Sequence, residues 1–301
     1  MAEQVYYGES PCTATVKSSG QACRNKAYYL VGGLVVCGVH GKGSDRVELP
    51  KRPAAEKALI KSENISSHLQ TVEAAAQANA AAGRRGDVIL IKFENRRAVK
   101  FVPGYLNVFP NNKHQDRPEG FGCASLSPMR LGPVVHGQPD LPEAKNLENF
   151  HQGNKCFPQE ADESGNPTLA FVENRLKMYC DPEPHRHKFS RGDRPLYSVW
   201  TDKTGTSYKI DYLSSRQFYC NFYERLAKVQ NDYLQLGEWL DEGYNLAIQG
   251  YDAFHMGLSP DEIEATYLNP AQPFGHERCL VAMLVLQEEE YPWRTYKDFD
   301  F

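Results

Sequence analysis

The sequence predicts an α+β protein: a mainly helical domain with a small antiparallel sheet, preceded by a small Cys/His module and a helical linker. Three observations carry this reading. Composition divides the 301 residues into a Cys- and Gly-rich zone over 1–45, a polar Ala-rich zone over 46–86, and an aromatic-rich, mixed zone over 87–301. Apolar residues recur at helical spacing in several stretches of the last zone. Short β-rich runs flank a charged turn near residue 95, and strands do not alternate with helices as βαβ units, which argues against a parallel doubly wound sheet.

The middle zone reads as helix from Ala54 to Lys61 and from Ile65 to Ala82, because alanine is the best helix former. Its apolar stripe of Ile65, Leu69 and Val72 is thin, so light packing or a spacer role is expected. Val88 to Phe93 and Ala98 to Val102 read as paired strands around a turn at Glu94 to Arg97, with Tyr105 to Phe109 extending the sheet. Asp140-Leu-Pro-Glu143 is a helix-start pattern: a capping carboxylate, a proline suited to the first turn, and an acid three residues after the cap. In the helix expected to follow, Glu148, Gln152 and Lys155 are spaced i, i+4, i+7 on one side, with His151 flanking them and Leu147, Phe150 and Phe157 opposite. Polar sets at this spacing also occur on ordinary solvated faces.

Further along, Ser214 to Val229 is an amphipathic helix with Phe218, Phe222 and Leu226 on one stripe. A shorter helix from Asn231 to Glu242 stops at Gly243, and Asn245 to Tyr251 alternates like a strand and delivers Asp252 at its end. Ser259-Pro-Asp-Glu262 is a capping box. A last, buried helix runs from about Gly275 to Gln287.

Hydrophobic residues make up 41% of the chain and aromatics 11%, the composition of a folded protein. The net charge of −4 argues against a nucleic-acid coat protein but permits a local basic patch. The N-terminus lacks a basic region followed by an apolar stretch, and no run of 18 apolar residues exists, so neither a secretion signal nor a membrane span is expected. Eight unevenly spaced cysteines in such a chain indicate reduced thiols in the cytoplasm or nucleus, some of them metal ligands. Gly32-Gly33 and Gly120-Phe-Gly122 lack the partners of a phosphate loop, and no Ser-His-Asp elbow is present.

Cys12, Cys23, Cys37 and His40 form Cys-x10-Cys-x13-Cys-x2-His, three thiolates and an imidazole that suit a closed tetrahedral zinc. A segment this short cannot stabilise itself by burial, so 1–45 is expected to be a zinc-binding module folded by its metal. With Gly20, Lys26 and Ala27 the pattern resembles the short Cys/His zinc modules at the ends of proteins from large DNA viruses. That resemblance implies a setting in a host cell or virion. Residues 10–61 hold nine Lys or Arg against three Asp or Glu, which suggests DNA or RNA contact through phosphates; protein docking or simple stabilisation stay open beside it.

Leu126-Ser-Pro, followed by Glu148-Asn-Phe-His-Gln152-Gly-Asn-Lys155-Cys-Phe157, resembles the NADAR family, whose members carry Leu-Ser-Asn-Phe and then Glu-His-x-x-Gln-x-x-Lys-Phe. The matching positions are Leu126, Ser127, Glu148, Gln152 and Lys155. Pro128 and Asn149 replace the family's Asn and His, Phe157 falls one residue late, and Ala253-Phe254 follows Asp252 where a Trp-Gly pair is usual. The likeness spans roughly residues 121–290 and is specific around Glu148. It implies a hydrolase that cleaves the N-glycosidic bond of an ADP-ribosyl or ribosyl-phosphate substrate, free or on nucleic acid. Glu148 would be the catalytic carboxylate supported by Lys155 and Asp252, with Gln152, Arg130 and Arg216 binding substrate. Such cleavage builds positive charge on the sugar, which a fixed carboxylate can stabilise while activating water.

Two clusters stay outside this scheme. Cys180-Asp-Pro-Glu-Pro-His185-Arg-His187 reads as a metal half-site, as phosphate-facing basic residues, or as a plain loop. His255 and His276 suit proton transfer, or capping and core roles. A second reading of the whole is a non-enzymatic viral structural or nucleic-acid-associated protein on a diverged version of the same fold.

Overall fold

A computed structural model describes residues 4–43, 45–93, 99–190 and 192–295. The chain is α+β and divides into two compact units, Met1–Ser67 and His68–Phe301.

The first unit carries strands β1 (Tyr29–Val31), β2 (Leu34–Val36) and β3 (Val47–Glu48) as an antiparallel sheet of order β2-β1-β3. Gly32 and Gly33 have φ of 55° and 83°, the left-handed conformation that a two-residue hairpin turn demands. They join β1 to β2, which is their structural use. The buried apolar cluster here is small: Cys12, Cys23, Val36 and Cys37, with Ala14, Val16, Tyr29 and Val31 packed on it. One uninterrupted helix, α1 (Ala54–Ala81), runs from this unit into the next. Its C-terminal half is more than a spacer. Val72 and Ala76 are buried, the Thr71 hydroxyl accepts from Gly104 N (3.1 Å), and Asn79 Nδ2 donates to Gly243 O (2.9 Å).

The second unit is built on a parallel sheet of β4 (Val88–Lys92), β5 (Tyr105–Phe109), β6 (Gly120–Gly122) and a late strand, Asn245–Gly250. A small antiparallel sheet is present in this unit, but over 155–210; the parallel sheet is unexpected, and it takes the place of the expected hairpin of Val88 to Phe93 with Ala98 to Val102. No strand forms over Val99–Val102, and the turn at 94–98 lies outside the described residues. The apolar run Val88-Ile-Leu-Ile is continuous rather than alternating, as strands of parallel sheets are. Instead of a hairpin partner, it pairs with the 245–250 strand, with Val88 opposite Leu246.

Asp140 does not cap a helix. Its φ is 60°, and helix α2 (Leu147–Gly153) begins seven positions later under Asn146, whose side chain accepts from Asn149 N (2.8 Å). The extended stretch before it is held instead by Val134 N donating to Ala144 O (2.8 Å). Lys155 also leaves the helix. It stands in β7 (Lys155–Cys156), the edge of an antiparallel sheet with β8 (Tyr197–Thr201) and β9 (Ser207–Ile210), after α3 (Leu169–Cys180) has intervened in sequence.

The later helices fall close to expectation. α4 (Tyr212–Ala227) is capped by Asp211, which accepts from Ser214 N, and α5 (Asn231–Asp241) ends before Gly243. The central strand β10 (Asn245–Gly250) follows. α6 (Pro260–Leu268) opens with the Ser259/Glu262 capping box, and α7 (His276–Val285) is buried from Glu277 to Leu284. α8 (Pro292–Thr295) closes the described chain, with Trp293 fully buried. α7 packs on β4, β10 and α4, so the core lies between the sheet and these helices. Among the described residues no helix is long and apolar enough to cross a membrane.

Candidate functional site

In the first unit the thiols of Cys12, Cys23 and Cys37 and the His40 ring offer ligand atoms that all lie within 4.8 Å of one another. Cys12 Sγ and Cys37 Sγ are each 3.4 Å from His40 Nδ1, and Cys23 Sγ is 3.9 Å from Cys37 Sγ. A tetrahedral ion with bonds of ~2.3 Å to sulfur sets its ligand atoms about 3.8 Å apart, so the four groups suit one metal ion. β2 ends at Val36 and delivers Cys37; the following turn closes with Gly41 N donating to Cys37 O (2.8 Å) and brings His40 back. The Cys37 amide donates to Cys12 Sγ (3.2 Å). Burial pushes the Cys37 thiol up, but the amides of His40 and Val39 and the Asn25 side chain outweigh it and hold the group at about 6. The four residues named from spacing are therefore brought together, and the cluster can hold a metal.

In the second unit the parallel strands aim their carboxyl ends at a cavity of about 500 Å³. Ligands of parallel α/β sheets bind in this position, outside the strand ends. Asn111 and Lys113 follow β5, Tyr251 and Asp252 follow β10, and the first turn of α7 supplies His276 and Glu277. α2 contributes Glu148, His151 and Gln152, while β7 contributes Lys155 and α4 contributes Arg216 and Tyr219.

Three of these groups form a chain. Lys155 Nζ donates to Gln152 Oε1 (3.1 Å), and Gln152 Nε2 donates to Glu148 Oε1 (3.0 Å). The amide stands between ammonium and carboxylate and orients both. Burial pushes the Lys155 amine down to about 8; the Glu148 charge opposes that fall and the Arg186 charge adds to it. The same burial holds His151 well below the usual imidazole range, so it is neutral, and its ring meets Tyr219 edge-on at 4.9 Å. The Tyr219 phenol is pushed well up, by burial first and then by Glu148, and keeps its proton.

The first turn of α7 adds a third carboxylate to those of Glu148 and Asp252. Glu277 is 4% exposed and lies 3.1 Å from His276 Nδ1, while His276 Nε2 bonds Pro110 O (2.8 Å), tying α7 to the exit of β5. Gly250 makes room for it: a Cβ there would lie 2.4 Å from Glu277 Cγ.

The structure therefore gathers Glu148, Gln152, Lys155, Asp252 and Arg216 around one cavity. Asp252 is exposed at its rim. Arg216 is buried, and its terminal nitrogens donate to the carbonyls of Tyr267, Asn269 (3.1 Å) and Gln272 (2.6 Å), so they already serve the backbone. Arg130 does not line the cavity; its Nε donates to Asn112 Oδ1 (2.8 Å), whose side chain does. His276 takes the bridging role above, and His255 is exposed outside the cavity.

Sequence reasoning missed Glu277 and the role of Asn149, while Arg186 belongs to the 180–187 segment that it left open as phosphate-facing basic residues. Fully buried Asn149 donates through Nδ2 to Asp181 O (2.9 Å) and Glu183 O (2.7 Å) and accepts from His185 N (2.7 Å). It fastens the 181–187 loop to α2 beside Glu148. An acid one step into a helix that opens on glycine was the available signal for Glu277. No local pattern announces the contacts of Asn149. Compared with protein-family models, curated proteins and solved structures, the chain matches none, and nothing there identifies a NADAR domain.

Proposed function

We propose that the second unit is a NADAR-type hydrolase cleaving an N-glycosidic bond to ribose in an ADP-ribosyl or ribosyl-phosphate substrate, small or carried on nucleic acid. The observation that carries the reading is convergence. Asp252 lies far along the chain from Glu148, Gln152 and Lys155, yet all four line the same cavity.

In this reading the ribose sits against Glu148. As the bond from the anomeric carbon to the base nitrogen breaks, its electron pair leaves with the base, and the carboxylate stabilises the positive charge left on the sugar. Glu148 then takes a proton from the water that adds to that carbon, and the departing base gains one. Gln152 fixes the Glu148 carboxylate through its amide. Lys155 keeps positive charge beside it, and Asp252 supports the sugar from the rim. The 500 Å³ volume is ample for a nucleoside-sized group.

The first unit is proposed to hold one structural zinc, which would fix the Cys12, Cys23, Cys37 and His40 segments, and to touch DNA or RNA through its basic surface. Its thiols would stay reduced in an intracellular setting, in a host cell or a virion.

The test compares wild type with Glu148→Gln on ADP-ribosylated guanine DNA and on free ADP-ribosides, following release of base and ribose. Wild type should release base, and the variant should be slower by about 10²–10⁴-fold, the usual worth of a positioned acid–base group. Equal rates would sink the enzyme reading and leave the non-enzymatic, nucleic-acid-associated protein in its place.

A further inference from the structure

A second cavity, of about 470 Å³, opens beside the first, and Arg186 lines both. Its wall is a fastened loop. Residue 185 is held at its backbone by Asn149. His187 is buried, with Nε2 2.9 Å from Glu160 Oε1 and Nδ1 3.2 Å from Gln152 O. Arg186 is thus displayed between two anchored neighbours.

The charge balance of this cavity is one-sided. Its acids are already engaged: Glu160 with His187, and Asp181 with His185 Nε2 at 2.9 Å. The charged ends of its cations Lys177, Arg186 and Lys188 make no ion pair or side-chain hydrogen bond among the described residues, and all three residues are exposed, with the Lys177 charge helping to hold the Asp181 carboxyl down. Beside them stands an aromatic face. Phe189 lines the same cavity and is 51% exposed, although its ring is steadied by Phe157 at 5.8 Å and His187 at 5.7 Å. Exposed cations next to an exposed, fixed ring are what phosphate and base together require: charge for one, a stacking surface for the other.

We propose that this second cavity is a nucleotide site, in which Lys177, Lys188 and Arg186 hold a phosphate and Phe189 stacks a base, next to the group bound by the first cavity. The site goes beyond the hydrolase reading and does not depend on Glu148. Its phosphate comes either from a free nucleotide or from a neighbouring unit of a nucleic-acid strand.

The experiment measures binding of AMP by calorimetry and of a labelled single-stranded hexadeoxynucleotide by anisotropy, at low and moderate salt. It uses the full chain, Lys177→Ala/Lys188→Ala, Phe189→Ala and, as an exposed control, Lys203→Ala. The double lysine variant should bind at least about tenfold more weakly, and for the strand its salt slope should fall by about 2, roughly 1 for each lysine that no longer meets a phosphate. Phe189→Ala should lose about tenfold for either probe, within the range for one stacked base. Lys203→Ala should bind like wild type, and base release from the ribosyl substrates is followed separately, so an inactive hydrolase site and an absent nucleotide site give different results. Loss confined to AMP assigns the site to a free nucleotide, and loss confined to the strand assigns it to a polynucleotide. The proposal is overturned if the double variant binds both probes like wild type, if Phe189→Ala changes neither, or if wild type binds neither at millimolar concentration.

Discussion

The two units reach a defined structure by different physical routes. The first has almost no apolar interior, since three of the four residues of its buried cluster are the cysteines themselves. The second encloses α7 and β10 in a continuous core that also takes in Trp293, Tyr223 and Tyr267. Its cavity is a by-product of that core, formed where parallel strands stop and helices begin. In the proposed reading one unit depends on a metal held by its four ligand groups; the other depends on surfaces brought together across most of the chain. Perturbing the ligands should therefore act on one unit alone, and perturbing the cavity should leave the other untouched.

The largest expected effect breaks the comparison at its metal end. Chelation at neutral pH should abolish the β1–β3 sheet, because a structural zinc in so small a module supplies on the order of 10 kcal/mol. The melting transition of the second unit should stay where it was. Metal analysis of purified protein should give close to one zinc per chain. A Cys37→Ser protein that keeps its full metal content would rule this ligand set out.

A smaller effect sharpens the cavity end. Lys155 holds its proton less tightly in the folded chain, at about 8 against the ordinary 10.5. Below pH 8 both states are protonated, and the buried charge destabilises the fold by up to about 3 kcal/mol, at roughly 1.36 kcal/mol for each pH unit between the two values. Between about 8 and 10.5 the unfolded state binds more protons, so this contribution makes stability rise with pH. Lys155→Met should remove that rise and be the more stable protein at pH 7. Denaturant titrations of both proteins across this range provide the check, and parallel curves would show that burial does not govern the amine.

The smallest effect separates the two candidate starts of the Glu148 helix. Asn146→Ala should cost about 1 kcal/mol, the usual loss of a side-chain cap. Asp140→Gly should be neutral or stabilising by a few tenths, because Asp140 adopts a φ of 60° that glycine tolerates better. Thermal denaturation of the two variants decides between them.

Legibility in the sequence follows the same division. The metal cluster can be read because its chemistry is written in residue types whose spacing a short chain can close. Helices α4 to α7 can be read because caps such as Ser259/Glu262 and stripes such as Phe218/Phe222 are local. The sheet cannot: β10 lies between strands that precede it by well over a hundred residues, and no nearby pattern states that pairing. Reading Val88 to Lys92 as half of a hairpin assumes that a strand's partner is close in sequence. Glu148 and Gln152 keep their expected relation because both stand on α2. Lys155 keeps its contact with Gln152 although it belongs to a strand, so the family-like spacing holds without the helix expected to explain it. The Asp140 pattern satisfies the rules of a capping box but lacks what decides the matter, a chain that turns helical immediately afterwards.

Asn149 carries a consequence for the wall of the cavity. Its single amide fixes three backbone groups of the 181–185 stretch from a fully buried position. Swinging that wall aside would strand several polar groups away from water, each at about 1–3 kcal/mol, or would drag the neighbouring Glu148 along. The wall and the helix that carries Glu148 are therefore fastened to each other, like a door hung on its own lock. An imidazole at position 149, with one donor and one acceptor in its neutral form, could not do the same fastening.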